Sequence, residues 1–347
     1  MTLRARPTGN KGRWAILLLV AAIALAGAGI FAVQAVQRFQ DDRAAASEAT
    51  LAPGGPSLPA EPFVLFRNTA SGQAYGQAAT VSLSDPSGAR SVSGVDCDRT
   101  YGSRTSVICL RTQRGVVTRF EASVYDRTWQ QQAKWPLRGI PSRARMDNTG
   151  TAVATTVFVT GHSYAGAGFS TETTITSVKD GGELGSLEGF VLLVNGERIT
   201  AEDRNIWGVT FVPGQADAFY ATAASSGRIW LVKGSVSGRT LTAVYDGAEC
   251  PSLSPDGSRL AYKKNAAGPL DPHWNIAVLD LADGGETVLQ EAASVDDQVE
   301  WLDNNTLLYG LPRPGEPGDS DIWQIAVAPG STPAVFIEHA WSPSVIR

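Results

Sequence analysis

The chain has 347 residues, of which 43% are hydrophobic and 18% charged, and it contains 36 glycines and 19 prolines. This composition excludes a disordered polymer and a helical bundle, and the length allows one large all-β domain plus an appendage. The net charge of -5 is spread along the sequence, and no basic stripe interleaved with aromatic residues follows the first segment. DNA and RNA are therefore not expected partners.

The first predicted element is a transmembrane helix at residues 14–36. Trp14 to Val33 contains no charged side chain over 20 residues. A helix of that length rises about 30 Å, which is the thickness of a bilayer core. Basic residues and no acids occur within residues 1–13. The positive-inside rule therefore predicts that this tail is cytoplasmic and that everything after the helix is extracytoplasmic.

A cleaved signal peptide is the alternative to this anchor, and it would release the same domain as a secreted protein. The apolar core of a signal peptide usually has about 7 to 15 residues, fewer than are present here. The small-residue site nearest to the end of the apolar run, Val33-Gln34-Ala35, is also a weak one. The sequence therefore favours an uncleaved signal anchor.

Residues 37–61 are rich in Ala, Ser, Pro, Gly and acids, and they predict a disordered linker that cannot bury enough apolar surface to order itself. In residues 62–347 the apolar residues come in short runs broken by Gly, Pro, Asn and Asp, as in Val64-Leu65-Phe66. This pattern is typical of short β-strands. The strands of such an all-β domain must close on themselves or leave exposed edges.

A repeated unit indicates how the strands close. Its clearest copy, Pro251 to Tyr262, consists of a strand, a tight Pro-Asp-Gly turn and a second strand. A third strand follows as Trp-x-Ile-Ala-Val, which occurs at Trp274 and again at Trp323. A unit of roughly 42 to 64 residues and four strands predicts a β-propeller blade. The innermost strands of six such blades are expected to begin near Val95, Ala144, Gly208, Pro251, Val299 and Trp341.

The sixth blade is predicted to be composite. The chain ends after a single strand of that blade, and three strands at the start of the domain have no innermost partner. Trp341–Ile346 is therefore expected to pair beside Phe63–Arg67, which would remove both free edges.

The repeat also resembles a known family. Ser252 to Tyr262, with the Trp-x-Ile-Ala-Val strand after it, resembles the WD-type repeat of TolB-like β-propellers. The stretch from 62 to 347, including Gly139–Arg145 and Ser294–Leu302, is similar to a set of exported actinobacterial "TolB-like" proteins. The resemblance implies a six-bladed propeller that acts in the cell envelope. TolB has an α/β domain where this chain has a helix and a linker, so the partners of TolB are not carried over.

A disulfide is predicted between Cys97 and Cys109. The turn around Gly102-Ser103-Arg104 is centred between them, so an antiparallel hairpin would place the two cysteines opposite each other, within disulfide range. An extracytoplasmic compartment lets the bond persist. Cys250 is expected to be a buried small hydrophobe.

No catalytic, cofactor or metal site is predicted. Gly161-His162-Ser163-Tyr164-Ala165 is similar to the G-x-S-x-G nucleophile elbow, but the final glycine and the helix that must follow are missing. His162, His273 and His339 are far apart in sequence and have no partner motif, so each is expected to be a surface or packing residue. Asp296 and Asp297 could hold a divalent cation, but adjacent aspartates more often form turns.

The predicted binding surface follows from propeller geometry. The connections that enter the innermost strands share one face with the loops between second and third strands. The candidate binding residues on that face are Arg143, His162, Tyr164, Asp203, Arg204, Asn205, Glu249, Asp296 and Asp297. The expected function is a non-catalytic module that binds an envelope protein or a small ligand, and the alternative is an envelope hydrolase or lyase on the same face.

Overall fold

The computed structural model describes residues 11–44, 46–53, 57–159, 170–268 and 272–347. The chain folds into two units, an N-terminal helix and a β-propeller. Helix α1 spans Lys11–Ala44 and is longer than the predicted 14–36. Its stretch Gly12–Arg38 contains an 18-residue window with a mean hydropathy of 2.8 and is long and apolar enough to cross a membrane. The helix continues beyond the apolar run because residues 34–44 contain neither glycine nor proline.

The propeller consists of six sheets. Its first strands are β1 (Phe63–Asn68), β2 (Gln77–Ser82) and β3 (Ser91–Asp96). Blade 1 contains β4 (Arg99–Gly102), β5 (Ser106–Gln113), β6 (Arg119–Asp126) and β7 (Gln131–Leu137). Blade 2 contains β8 (Ile140–Met146), β9 (Ala152–Val159), β10 (Ser170–Ser177) and β11 (Glu183–Ser186), and a single 3-10 turn follows at Leu187–Gly189.

The second half of the ring continues in chain order. Blade 3 contains β12 (Val191–Val194), β13 (Glu197–Ile199), β14 (Asn205–Val212), β15 (Gln215–Ser225), β16 (Arg228–Ser235) and β17 (Thr240–Asp246). Blade 4 contains β18 (Glu249–Leu253), β19 (Arg259–Asn265), β20 (Trp274–Asp280) and β21 (Glu286–Val288). Blade 5 contains β22 (Glu300–Trp301), β23 (Thr306–Pro312), β24 (Ser320–Ala326) and β25 (Ala334–Ile337), and the chain ends with β26 (Ala340–Ile346).

The closing blade is composite, as predicted. Its strand order is β26, β1, β2, β3, and β26 pairs antiparallel with β1 so that Phe63 lies opposite Ile346 and Asn68 opposite Ala340. The innermost strands of the ring are β4, β8, β14, β18, β22 and β26. The face on which these strands begin is called the entry face, and the face on which they end is called the exit face.

One innermost strand begins later than expected. Val95 lies in β3, the outermost strand of the closing blade, whereas the innermost strand of blade 1 begins at Arg99. Two short β segments follow each other here with only Cys97 and Asp98 between them. Their apolar pattern does not show where one blade ends and the next begins.

The hydrophobic core is divided among the six blade interfaces. Each of six apolar clusters joins two neighbouring blades. In β1, Phe63 and Leu65 pack against blade 1, while Val64 and Phe66 pack against blade 5. Strands buried on both faces explain why the sequence shows continuous apolar runs rather than strict alternation.

Blade 3 departs from the four-strand repeat. It is a six-stranded sheet because the hairpin of β12 and β13 is added at its outer edge, where β12 runs parallel to β17. Leu192 of this hairpin is fully buried in the cluster between blades 2 and 3. The additional strands come before the repeat unit in the chain, so the spacing of the repeats gave no sign of them.

The predicted linker is ordered over part of its length. The amide of Ala52 donates to the carbonyl of Arg90 at 2.8 Å, and the amide of Arg90 donates to the carbonyl of Thr50 at 2.9 Å. Leu58 is buried between the closing blade and blade 1, and the Arg127 guanidinium donates to its carbonyl at 3.0 Å. The prediction of a disordered segment over 37–61 is therefore wrong for these residues, because the propeller supplies their missing hydrogen-bond partners.

Cys97 and Cys109 form the predicted disulfide, with their Cα atoms 5.3 Å apart. The two cysteines are not the cross-strand pair that the sequence predicts. Cys109 lies opposite Thr100 in the β4–β5 hairpin, so the turn is centred between Arg104 and Thr105. Cys97 precedes the hairpin and reaches Cys109 from the connection between the closing blade and blade 1.

Candidate functional site

Charged side chains from several blades meet around the propeller axis. They form the axial cluster, which consists of Arg99, Arg143, Arg145, Glu249, Lys263, Asp296, Asp297 and Glu300. The cluster combines four of the predicted binding residues, Arg143, Glu249, Asp296 and Asp297, with four charged residues that were not predicted.

Asp297 is the centre of the cluster. Its carboxylate lies 2.5 Å from the Arg99 guanidinium and 3.1 Å from that of Arg143, so one acid holds two arginines from different blades. Burial alone would raise the pKa of Asp297, but the charges of Arg143 and Arg99 outweigh it and bring the pKa to about 2. Asp297 therefore stays ionised and is unsuited to accept a proton near neutral pH.

A second ion pair lies towards the exit face. Strand alternation in β8 points Ala144 and Met146 into the blade interface and leaves Arg143 and Arg145 for the axis. Arg145 lies 3.4 Å from Glu300 and donates to the carbonyl of Val299 at 2.8 Å. Burial raises the pKa of Glu300, and the charge of Arg145 opposes that rise.

Glu249, Lys263 and Asp296 form the mouth of the cluster on the entry face. Glu249 and Lys263 are cross-strand neighbours in β18 and β19, and the Lys263 ammonium donates to the Asp296 carboxylate. The side chain of Asp296 is 66% exposed, so it is the part of the cluster that a binding partner can reach. Burial raises the pKa of Glu249 to about 7, although Lys263 lowers it.

Gln298 bridges the innermost strands of neighbouring blades. Gln298 donates from Nε2 to the carbonyls of Val209 at 3.0 Å and Pro251 at 2.6 Å, which joins three blades. Below it, the ends of the innermost strands line a cavity of about 410 Å³ that opens on the exit face and includes Arg145 and Glu300. The exit end of the axis therefore has a depression lined by the ends of the innermost strands.

Three other predicted residues lie away from the axis, at the rim between blades 2 and 3. Asp203 accepts the amide of Ser226, Arg204 donates to the carbonyl of Ala201, and Asn205 accepts the amide of Thr171. They line a cleft of about 360 Å³ that also contains Arg138, Glu172 and Glu188. Their hydrogen bonds hold loops in place, and their binding role stays a prediction. His162 and Tyr164 lie outside the described residues.

The axial residues that sequence reasoning missed have identifiable causes. The sequence predicts that the innermost strand of blade 1 begins near Val95, whereas it begins at Arg99, so the prediction does not place Arg99 at the start of that strand. Lys263 belongs to a second strand, and its side chain reaches Asp296 beside Glu249. Arg145 follows Arg143 by two positions in β8, so strand alternation predicts both on the same side of the strand. Glu300 begins the short β22, three positions after Asp297.

Cys250 is buried, as predicted, and burial raises the pKa of its thiol. Its backbone is left-handed, with φ of 51°. Gly208 lies against it, and a Cβ at that glycine would come 2.6 Å from the Cys250 Cα. The innermost strands of blades 3 and 4 therefore approach so closely that position 208 requires glycine.

One group of possible metal ligands lies outside the axial cluster. Glu48, Asp319 and His339 place one ligand atom each within 4.8 Å of the others. The prediction that His339 is a surface or packing residue did not include this grouping, because its partners are far away in sequence.

No protein-family model and no curated protein sequence matches the chain. Among solved structures, it is similar to TolB from Acinetobacter baumannii, with a TM-score of 0.54 and 12% identity over 82% of this chain and 66% of that protein. The chain thus matches less than two thirds of that relative's length. The putative TolB from Agrobacterium tumefaciens gives a TM-score of 0.47 at 8% identity, over 80% of this chain and 89% of that one.

An oligogalacturonate lyase in complex with manganese gives a TM-score of 0.46 at 12% identity, over 75% of this chain and 73% of that protein. At such identities the similarity concerns the fold alone. The chain has the six-bladed fold of TolB-like propellers.

Proposed function

We propose that this chain, with its TolB-like propeller fold, is a membrane-tethered extracytoplasmic module that binds an envelope protein or a small ligand on its entry face without catalysing a reaction. The apolar stretch of α1 is long enough to anchor it, and the basic residues before that stretch favour a cytoplasmic N-terminus. The ordered part of the linker and the propeller then lie outside.

The pairing of the axial charges supports binding. Asp297 is held by two arginines, Glu300 by Arg145, and Asp296 by Lys263. Charged groups that are paired with one another in this way form a rigid pattern of charge, which suits recognition better than proton transfer. The exposed carboxylate of Asp296 is the contact point that this arrangement presents.

One observation favours the alternative, an envelope hydrolase or lyase. Glu249 is buried and its pKa is raised to about 7, which is suitable for a general base at neutral pH. A Glu249→Gln variant separates the two functions, because it would abolish turnover by an enzyme of this kind and leave capture of a partner through Asp296 in place.

The test is affinity capture from solubilised envelope with the full chain tagged at its N-terminus. We expect a stoichiometric protein, or a small ligand seen by native mass spectrometry, to co-purify with the wild type. Asp296→Lys should reduce its recovery at least about tenfold. Glu197→Lys, the same charge change at an exposed position in β13, should not. Turnover by the purified chain without a partner would instead support the enzyme.

A further inference from the structure

We propose that Glu48, Asp319 and His339 form a Zn²⁺ site that fastens the segment before β1 to the closing blade. His339 Nδ1 lies 2.6 Å from Asp319 Oδ2 and 3.6 Å from Glu48 Oε2. Tetrahedral zinc with bonds of about 2.0 to 2.1 Å separates its ligand atoms by about 3.3 Å. The three atoms therefore need to move by less than about 1 Å to hold an ion, with water as the fourth ligand.

Asp319 is already oriented for this role. Its Oδ1 accepts the Thr69 hydroxyl at 2.6 Å and the amide of Ser320 at 2.8 Å, which leaves Oδ2 directed at the imidazole. Hydrogen bonds to the second oxygen of a ligating carboxylate are typical support for a metal ligand. The Asp319 side chain is 13% exposed, so this orientation is held within a partly buried site.

His339 is held equally firmly by its backbone. Its φ is 49°, its amide donates to Asp321 at 2.8 Å, and its carbonyl accepts from Thr69 and Arg90, each at 2.9 Å. These backbone contacts fix the position from which the imidazole extends, and its Nδ1 lies beside Asp319 Oδ2. Zn²⁺ binds an unprotonated ring nitrogen, so the imidazole bound through Nδ1 would carry its proton on Nε2.

The surrounding charge favours a cation. Five carboxylates lie around the site, and two guanidinium groups face them, those of Arg313 and Arg90. Arg313 is 3.6 Å from Asp319 but lies closer to Asp321, at 2.8 Å, so Asp319 is not its main partner. One imidazole nitrogen with two carboxylate oxygens suits Zn²⁺ better than Ca²⁺ or Mg²⁺, which prefer oxygen ligands alone.

The three ligands come from separate parts of the chain. Asp319 precedes β24 of blade 5, His339 precedes the closing strand β26, and Glu48 lies before β1. A bound ion would therefore link both ends of the propeller sequence to blade 5, where the ring closes. We expect the ion to raise the melting temperature of the propeller as well as to bind.

The test is a Zn²⁺ titration of the metal-free full chain, purified without a histidine tag, by calorimetry against a competing chelator. We expect one ion per chain and a higher melting temperature with Zn²⁺. Glu48→Gln should weaken binding at least about tenfold. Glu338→Gln removes an acid near the same Arg313 without removing a ligand. Its affinity for Zn²⁺ should stay within about threefold of that of the wild type.

A second variant tests the nitrogen ligand. His339→Asn keeps a residue that tolerates positive φ, and it should abolish the visible absorption that bound Co²⁺ gives in the wild type. If this variant fails to fold, Glu48→Gln still decides the matter because the Glu48 side chain is 56% exposed. The proposal is overturned if no ion binds at one per chain, or if Glu48→Gln and Glu338→Gln weaken binding equally. Neither result bears on the binding module proposed above.

Discussion

Asp297 is the residue through which the axial cluster joins its blades, and its removal tests the cluster. Asp297→Ala would leave Arg99 and Arg143 buried without their acid, so we expect the free energy of unfolding to fall by about 3 to 5 kcal/mol. The matched control is Asp246→Ala, because the Arg228–Asp246 pair has both side chains more than half exposed. Asp246→Ala should lower the free energy of unfolding by less than about 1 kcal/mol. Denaturant unfolding measures both, and equal effects would contradict the prediction.

Glu249 should make stability depend on pH. Burial raises its pKa from 4.5 to about 7, so the folded chain binds more protons than the unfolded chain between these values. Stability should therefore fall as the pH rises from about 4.5 to 7 and level off above that range. Glu249→Gln should remove this part of the pH dependence. The free energy of unfolding of the variant should therefore increase relative to that of the wild type as the pH rises. Glu188, whose pKa burial also raises to about 7, remains in both proteins, and the difference between the two curves isolates Glu249.

At the scale of elements, the β4–β5 hairpin is fastened by the disulfide from Cys97 to Cys109. Closing this short loop should contribute about 2 to 3 kcal/mol. We expect the double variant Cys97→Ser with Cys109→Ser to lose that amount in denaturant unfolding. Thiol titration of the unreduced, unfolded chain should find one free thiol, that of Cys250. Two or three free thiols would show that the bond does not form.

The helix α1 should remain in the mature protein. Its apolar stretch Gly12–Arg38 is longer than a signal-peptide core, and the helix continues to Ala44. Intact mass measurement of the membrane fraction should therefore give a chain that retains residues 14–33. A mature N-terminus near Val36 would show instead that the segment is cleaved and the propeller secreted.

Local pattern predicted most of the elements, and non-local contacts account for what it missed. The turn and apolar pairs of Pro251 to Tyr262 identify a blade because they lie within one hairpin. The hairpin of β12 and β13 was missed because its stability comes from the parallel contact with β17, 49 residues downstream in the pair Val191 and Thr240. The pairing of Arg99 with Asp297 is similarly distant, across 198 positions. Sequence spacing carries no signal for such contacts.

At the scale of the whole molecule, β26 closes the ring by contacting the blades on both sides. The amide of Gly102 in blade 1 donates to Ser344 at 3.1 Å, and the amide of Val345 donates to Glu300 of blade 5 at 3.2 Å. On its third side, β26 pairs along the length of β1. One strand therefore connects the first and last parts of the domain.

Deletion of residues 340–347 should therefore abolish the cooperative unfolding of the propeller. It removes the innermost strand of the closing blade and uncovers one edge of β1, whose Val64 and Phe66 are fully buried in the intact ring. The loss should approach the whole stability of a typical domain, about 5 to 15 kcal/mol, because the reopened ring exposes apolar surface at two interfaces.

Deletion of the exposed Arg347 alone is the control and should leave the melting temperature nearly unchanged. Because the pairing of β26 with β1 is non-covalent, a synthetic peptide of residues 340–347 in excess should restore part of the transition. A truncated chain that melts at the wild-type temperature would show that the ring does not depend on this closure.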